Sequence, residues 1–141
     1  MKILVCTDGS EQSLRAVRKA VDIVADNKNA QVTVLHVEES ISHPYEIPSA
    51  EHSPEGHKRL EEEHKRVIAE AAKIFEEKNI KADVSLGQGH PASTIVEMAS
   101  KENFDLIVLG NRGLGGLKKL ILGSVSNAVI QETEASVLIV K

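Results

Sequence analysis

The chain has 141 residues, 41% of them hydrophobic and 27% charged, which is typical of one globular domain with a single core. A formal net charge of -4 and an aromatic content of 2% argue against a nucleic-acid-binding protein, which would need cationic groups for phosphates and rings for bases. No apolar run reaches membrane-spanning length and the lone cysteine, Cys6, cannot form an internal disulfide, so we expect a cytoplasmic protein that does not enter a membrane.

The first part of the chain alternates short apolar runs with one helical stretch. Ile3 to Cys6 is a short apolar run followed by turn residues, which predicts a buried strand. Ser10 is a typical N-cap residue, and apolar residues then recur at helical spacing until the chain reaches Lys28 and Asn29. Val32 to Val37 is rich in β-branched residues and predicts the second strand.

Residues 38–56 are predicted to form a flexible loop, because they hold three of the four prolines and the only tyrosine. His43, His52 and nearby His57 make a metal site one interpretation of this region. Only His52 and His57 have a ligand-like spacing, and no cysteine or second close pair completes a set of ligands. We therefore favour surface histidines without a metal.

The longest predicted helix covers residues 55–78. Its apolar stripe, at helical spacing, consists of Leu60, His64, Val67, Ala71, Ile74 and Phe75. Glutamates four residues before a basic residue predict two exposed ion pairs, Glu61 with Lys65 and Glu62 with Arg66. A third strand is predicted from Ala82 to Leu86.

The alternation continues to the end of the chain. Pro91 suits the first position of a third helix, and an apolar run from Leu106 to Leu109 predicts a fourth strand. A fourth helix through Val125 and Val129 and a last strand, Val137 to Val140, complete the pattern. Five strands that alternate with four helices predict an α/β fold with a parallel sheet covered on both faces.

A glycine-rich segment follows the fourth predicted strand. Its glycines, at positions 110, 113, 115, 116 and 123, lead to a serine and a helix start at Ser124. Glycine lets an anion approach the backbone N–H groups, and the first turn of a helix adds further N–H groups. The placement after a buried strand therefore predicts a phosphate site, whereas the alternative is a surface loop that merely needs turns.

Two familiar phosphate loops do not fit this segment. A P-loop needs a lysine followed by serine or threonine, but Leu120 follows Lys118 and Lys119. The dinucleotide pattern G-x-G-x-x-G fails because Lys118 stands where its third glycine belongs. The spacing present is Gly110-x2-Gly113-x9-Gly123-Ser124.

That spacing resembles the nucleotide signature of the universal stress protein family, in the branch that binds ATP. The segments ILVCTDGSEQS, DLIVLGNRG and SVLIVK also match the family's pattern, in the expected order. The resemblance covers the whole chain and implies one domain, residues 1–141, with a doubly wound five-stranded parallel sheet of order 3-2-1-4-5. The chain departs from the pattern before the last strand, where Thr133 to Ser136 replace a common histidine and proline.

The implied strand order selects one place for the site. In that order the first and fourth strands are neighbours and the winding reverses between them, and ligands of such sheets bind beyond the carboxyl ends of the strands at that reversal. The loops 6–10 and 110–116 both open there. Motif and topology therefore predict the same crevice.

The family resemblance also implies which residues hold the nucleotide. Cys6, Thr7 and Asp8 line the base and ribose side, and the backbone of Val37 meets the adenine. Asp8 would accept a ribose hydroxyl or hold a metal-bound water, or else cap the following turn. Cys6 has the alternative role of a small buried hydrophobe.

Phosphates would lie along the glycine loop and the helix start. The implied contacts are Gly110, Asn111, Arg112, Gly113, Gly115, Gly116, Gly123, Ser124, Val125 and Ser126. Because so few cations are available, we expect ATP, or ADP or AMP, to bring Mg2+ or Mn2+ held by phosphate oxygens and water, with no direct protein ligand.

These observations favour an ATP-binding stress-response protein that acts as a nucleotide-dependent switch or sensor. A homodimer joined through Val137 to Val140 and an unidentified protein effector are the expected partners. The alternative is a slow ATPase or a nucleotidyl or phosphoryl transferase, but no carboxylate, histidine or glutamine is committed to the terminal phosphate. A flavodoxin-type flavoprotein is disfavoured by the scarcity of aromatic residues.

Overall fold

The computed structural model describes residues 1–27, 29–39, 53–114 and 122–141. Residues 40–52 of the predicted loop 38–56, with His43 and His52, and the glycines at 115 and 116 lie outside the described residues. The ends of that predicted loop belong to regular elements instead, since Glu38 ends a strand and Pro54 begins a helix. The strands in the described ranges are β1 (Lys2–Cys6), β2 (Gln31–Glu38), β3 (Asp83–Gln88), β4 (Leu106–Gly110) and β5 (Ser136–Val140). The helices are α1 (Glu11–Ala25), α2 (Pro54–Glu76), α3 (Pro91–Lys101) and α4 (Ser124–Glu132).

All five strands form one parallel sheet in the order β3-β2-β1-β4-β5. This confirms the predicted fold class and strand order. In the register of the sheet, Cys6 at the end of β1 stands opposite Leu35 of β2, and Val5 stands opposite Val108 of β4. The carboxyl ends of β1 and β4 therefore lie side by side, with the winding reversed between them.

The core has two layers, one on each face of the sheet. On one face Ile3 and Val5 pack with apolar residues of α1 and α2, including the fully buried Phe75. On the other face Leu4 packs with residues of α3 and α4, including Ile95. Because β1 is covered on both faces, its sequence is apolar without interruption.

Helix ends follow the local sequence with small shifts. The Ser10 hydroxyl caps α1 by accepting from the backbone N–H of Ser13 at 3.2 Å. The first helix ends at Ala25, short of the expected Lys28, and Asp26 forms its C-cap. Asn79 adopts the left-handed conformation, φ 56°, which asparagine tolerates, just beyond α2. None of the helices in the described ranges is both long and apolar enough to cross a membrane.

Two details of α2 differ from the sequence prediction. Leu60 is 42% exposed, so the apolar stripe does not bury the first turns of the helix. Lys65 pairs with Glu61 at 2.6 Å as predicted, whereas Arg66 pairs with Glu63 instead of Glu62. Two guanidinium nitrogens of Arg66 reach the two carboxylate oxygens of Glu63, a bidentate geometry that favours this partner.

We predict that Phe75→Ala lowers the free energy of unfolding by about 3–5 kcal/mol, because the surrounding core relaxes only partly into the cavity that the smaller side chain leaves. The exposed Leu60 on the same helix provides the matched control. Leu60→Ala should cost only about 1 kcal/mol. Urea unfolding of the two variants measures the difference, and equal losses would contradict the assignment of the core.

Candidate functional site

The sequence-predicted site residues gather at one edge of the sheet. Cys6, Thr7 and Asp8 lie at the carboxyl end of β1, and Val37 lies near that of β2. The residues at the end of β4 are Gly110, Asn111, Arg112 and Gly113, and those at the start of α4 are Gly123, Ser124, Val125 and Ser126. The structure thus brings three chain segments to one crevice, while Gly115 and Gly116 fall outside the described part.

Hydroxyl groups hold the loop after β1 in place. Thr7 is only 4% exposed, and its hydroxyl lies 3.0 Å from the hydroxyl of Ser13. The same Thr7 oxygen accepts the backbone N–H of Gly9 at 3.2 Å. Gly9 has φ 80°, a conformation that disfavours side chains, and a Cβ there would stand 3.0 Å from Val67 of α2. Hydrogen bonds inside the loop therefore fix its conformation.

Asp8 joins the two loops that flank the crevice. One of its carboxylate oxygens accepts the backbone N–H of Ser10 at 3.0 Å, which is the turn-capping role that the sequence left as an alternative. The other oxygen accepts the backbone N–H of Leu114 at 3.0 Å. The carboxylate therefore bridges the end of β1 to the glycine loop after β4.

The glycines of this site have a structural reason that sequence analysis did not identify. A Cβ on Gly113 would lie 2.3 Å from a carboxylate oxygen of Asp8. A Cβ on Gly110 would lie 2.8 Å from the backbone carbonyl carbon of Gln12, in the first turn of α1. At Gly110 the close atoms are backbone, which cannot move aside, so glycine is needed there even without a phosphate. At Gly113 a side chain would have to displace the Asp8 carboxylate from the N–H groups of Ser10 and Leu114.

Asn111 organises the start of α4. Its backbone oxygen accepts the N–H of Gly123 at 2.7 Å and the hydroxyl of Ser126 at 3.1 Å. Its backbone N–H donates to the carbonyl of Val140 at the end of β5. Ser126 is 3% exposed, so its hydroxyl fixes the helix start from inside instead of facing the crevice.

The N-terminus of α4 has the properties of an anion site. Gly123 is its N-cap, and among the described residues no side chain forms a capping hydrogen bond to the helix. The first N–H groups of a helix have no acceptor within the helix, and they carry the positive end of its dipole. Gly123 lies against the glycine loop, since a Cβ on it would be 3.3 Å from the Cα of Arg112, and Ser124 is exposed beside it.

Cys6 has the properties of a buried hydrophobe. It is 7% exposed and packs in the layer formed with α3 and α4. Burial raises the pKa of the Cys6 thiol far above its usual value, because the thiolate would be poorly solvated. The residue therefore offers no nucleophile to the crevice.

Two histidines beside the crevice were not recognised as partners from sequence. His36 of β2 is 6% exposed, and its Nδ1 lies 2.8 Å from the backbone oxygen of Thr7. Its Nε2 lies 2.7 Å from Nδ1 of His64 on α2, which sequence analysis had placed in the apolar stripe. The sequence did contain one signal for this pair. A histidine stands within the apolar run of the second strand, and a buried polar group needs a hydrogen-bond partner.

We predict a strong coupling between Asp8 and Gly113. Gly113→Ala should destabilise the protein by about 1–3 kcal/mol, because the new methyl group meets the Asp8 carboxylate. In an Asp8→Ala background the same change should cost much less, since the obstructing oxygen is gone. Urea unfolding of the four proteins gives the interaction free energy, and additive costs would show that the two loops do not meet in this way.

Comparison with known proteins assigns the chain to a family. The sequence model of the Universal stress protein family matches residues 1–141. Universal stress protein MJ0531 of Methanocaldococcus jannaschii is 36% identical over 140 residues, which cover 99% of this chain and 81% of that protein.

Solved structures agree in fold over nearly the whole chain. The hypothetical protein MJ0577, a test case of structural genomics, has a TM-score of 0.82 and 33% identity, covering 99% of this chain and 94% of its own. A universal stress protein in complex with cAMP has a TM-score of 0.73 and 28% identity, covering 100% of this chain and 97% of its own. The chain described here belongs to the universal stress protein family.

Proposed function

We propose that this protein binds an adenine nucleotide, ATP together with Mg2+ or Mn2+, in the crevice between β1 and β4. In this role it is a nucleotide-dependent switch or sensor of a cytoplasmic stress response. The observation that carries the proposal is the uncapped N-terminus of α4 against a glycine loop of nucleotide-signature spacing. The relative solved with cAMP, at 28% identity, supports an adenine nucleotide as the ligand class.

The adenosine half of the nucleotide would lie against the ends of β1 and β2. Cys6 and Thr7 would line it, and the backbone of Val37 would contact the adenine. Asp8 already accepts two backbone N–H groups, but a carboxylate has about four lone-pair sites and can take a ribose hydroxyl or a metal-bound water as well.

The phosphates would follow the glycine loop towards the start of α4. The backbone of residues 110–113, with Gly115 and Gly116, would hold the inner phosphates. Ser124 would give its hydroxyl and its backbone N–H to the last phosphate, with Gly123 and the first-turn N–H groups of Val125 and Ser126 beside it. A divalent cation, bound by phosphate oxygens and water, would neutralise the remaining negative charge of the phosphates.

Binding is favoured over catalysis by the groups that the crevice offers. In the loops 7–10 and 111–114 and the helix start 122–126, Asp8 is the one carboxylate, and no histidine is present. Its oxygens are committed to Ser10 and Leu114, so it is poorly placed to activate water at the terminal phosphate. The second candidate, a slow ATPase or a nucleotidyl or phosphoryl transferase on this scaffold, would need a group from a partner.

We also propose a homodimer that pairs β5 with its copy, Val137 to Val140 against the same residues. This strand lies at the edge of the sheet, beyond β4. The N–H of Ser136 and the C=O of Val140 bond towards β4, so by alternation the backbone groups of Val137 and Ile139 point to the open edge. An edge of this kind invites another strand, and a two-fold axis supplies it antiparallel.

We predict that ATP with Mg2+ raises the melting temperature and that Ser124→Ala weakens ATP binding about tenfold, the effect of losing a hydrogen bond to a charged phosphate. Ser100→Ala, an exposed serine on α3, is the control and should bind as the wild type. Calorimetric titration measures both.

Phosphate release from ATP by the same proteins should stay below about one turnover per second. The reason is that the proposed contacts stabilise the ground state and the transition state of hydrolysis equally. An absence of ATP binding would refute the proposed function. Rapid turnover that is lost on changing one acidic residue or one histidine would establish the enzyme instead.

We predict that Ile139→Pro shifts the protein from dimer to monomer, because it removes an N–H that points to the open edge. Ile139→Ala is the matched control, since it removes side-chain packing but keeps that N–H, and it should remain dimeric. Light scattering at micromolar concentration measures the mass. A monomeric wild type, or the same mass for both variants, would exclude the β5 interface.

A further inference from the structure

A chain of hydrogen bonds connects α2 to the adenosine end of the proposed site. It runs from the backbone oxygen of Thr7 to Nδ1 of His36 (2.8 Å), then from Nε2 of His36 to Nδ1 of His64 (2.7 Å). Beyond this chain, Nε2 of His64 lies 3.2 Å from a carboxylate oxygen of Glu38, which is an ion-pair contact. Gln88 of β3 donates to the other oxygen of Glu38 at 3.3 Å.

The contacts limit where the histidine pair can carry hydrogens. Nδ1 of His36 faces a carbonyl oxygen, which can only accept, so this nitrogen carries a hydrogen. The two inner nitrogens face each other at hydrogen-bond distance, so they share one hydrogen between them. A further hydrogen on Nε2 of His64, beside the Glu38 carboxylate, gives the pair one positive charge, and without it the pair is neutral.

The charge is balanced by the groups around it. From β2 the Glu38 carboxylate supplies the opposite charge. From α2 Glu63 is nearby, and its pKa is lowered by the Arg66 hydrogen bond first and, to a smaller extent, by the field of the two histidines. From β1 the pair meets the Thr7 backbone oxygen, while the adjacent Asp8 carboxylate is bonded to Ser10 and Leu114.

This arrangement suits a proton better than a metal ion. Three of the four ring nitrogens take part in hydrogen bonds, and the fourth, Nε2 of His64, faces the Glu38 carboxylate. Across the described ranges of the chain, no group of three or more histidine, cysteine, aspartate or glutamate side chains is placed to hold a metal ion.

We propose that the hydrogen bond between His36 and His64 positions the adenosine end of the site, and that a second positive charge on the pair breaks this bond. The inference rests on the proposed nucleotide binding. Thr7 is held by β2 at both of its backbone groups, because its N–H donates to the carbonyl of Leu35 at 2.9 Å and its carbonyl accepts from His36. This chain of hydrogen bonds from Thr7 through His36 to His64, here called the relay, therefore fixes the backbone of Thr7 where base and ribose would bind.

Full protonation of both rings breaks the hydrogen bond between them. Two N–H groups then face each other at 2.7 Å, with two like charges. Loss of the hydrogen on Nε2 of His64, in contrast, leaves both hydrogen bonds that lead to Thr7 in place. Nucleotide affinity should therefore fall on the acid side of the histidine range and hold on the alkaline side.

The test is calorimetric titration of the full-length protein with ATP and Mg2+ from about pH 5 to about pH 8, the range in which histidine commonly titrates. His64→Gln should weaken binding about tenfold at the wild-type optimum and flatten the pH profile, because the relay and its proton are lost. Glu38→Gln removes a negative charge that favours the charged rings, so it should move the acid limit to lower pH. His90→Gln, an exposed histidine at the start of α3, is the control and should keep the wild-type profile.

The comparison between variants isolates the relay, because the ionisation of ATP itself is common to all of them. The same pH profile in wild type, His64→Gln and Glu38→Gln would overturn the inference while leaving nucleotide binding intact. If the wild type binds no ATP at any pH, the proposed function fails and this coupling fails with it.

A second measurement needs no nucleotide and no substitution. Imidazole ¹⁵N NMR of the free protein near neutral pH should show protonated Nδ1 in His36 and one proton shared by the inner nitrogens. An unprotonated Nδ1 in His36 near neutral pH would overturn the relay. His36→Asn offers a further check, since its amide can still donate to Thr7 but cannot reach His64, and it should lose the pH dependence.

Discussion

The position of β1 between β2 and β4 is the constraint on which the rest of this structure depends. The strand is paired on both edges and covered on both faces, and Ile3, Leu4 and Val5 are fully buried. The chain leaves its carboxyl end towards one face of the sheet, and leaves β4 towards the other. A crevice must open between these exits, and both loops that carry polar groups face it.

The glycines of the crevice illustrate how one residue type meets two demands. Gly113 accommodates the Asp8 carboxylate, and Gly110 accommodates the first turn of α1, before any ligand is considered. The same lack of a side chain leaves backbone N–H groups open to an anion. A glycine signature of this kind therefore reflects the close approach of two loops as well as the chemistry of a phosphate.

Polar side chains, in contrast, fix the loops from within. The hydroxyls of Thr7, Ser13 and Ser126 are all buried and bonded to neighbouring groups. The histidine pair extends this system to α2, so that a helix on one face of the sheet is tied to the ends of two strands.

Much of the fold could be predicted from local patterns along the sequence. The apolar runs and helical periodicities located all five strands and four helices, because each element must bury one or both faces against the same core. The strand order came from the family resemblance, and helix ends were less predictable, since α1 stops at Ala25 and α2 leaves Leu60 half-exposed. Arg66 pairs with Glu63 and not with the predicted Glu62, because side-chain geometry as well as sequence spacing decides an ion pair.

The sequence by itself determined the glycine spacing and the capping serine of α1, and it predicted the region of the proposed site. Only the tertiary structure decided which groups meet there. Asp8 reaches the N–H of Leu114 across 106 positions of the chain, and His36 reaches His64 across 28, as strand pairing and helix packing bring distant segments together. Such contacts follow from topology and close packing, for which no local pattern of residues carries a signal.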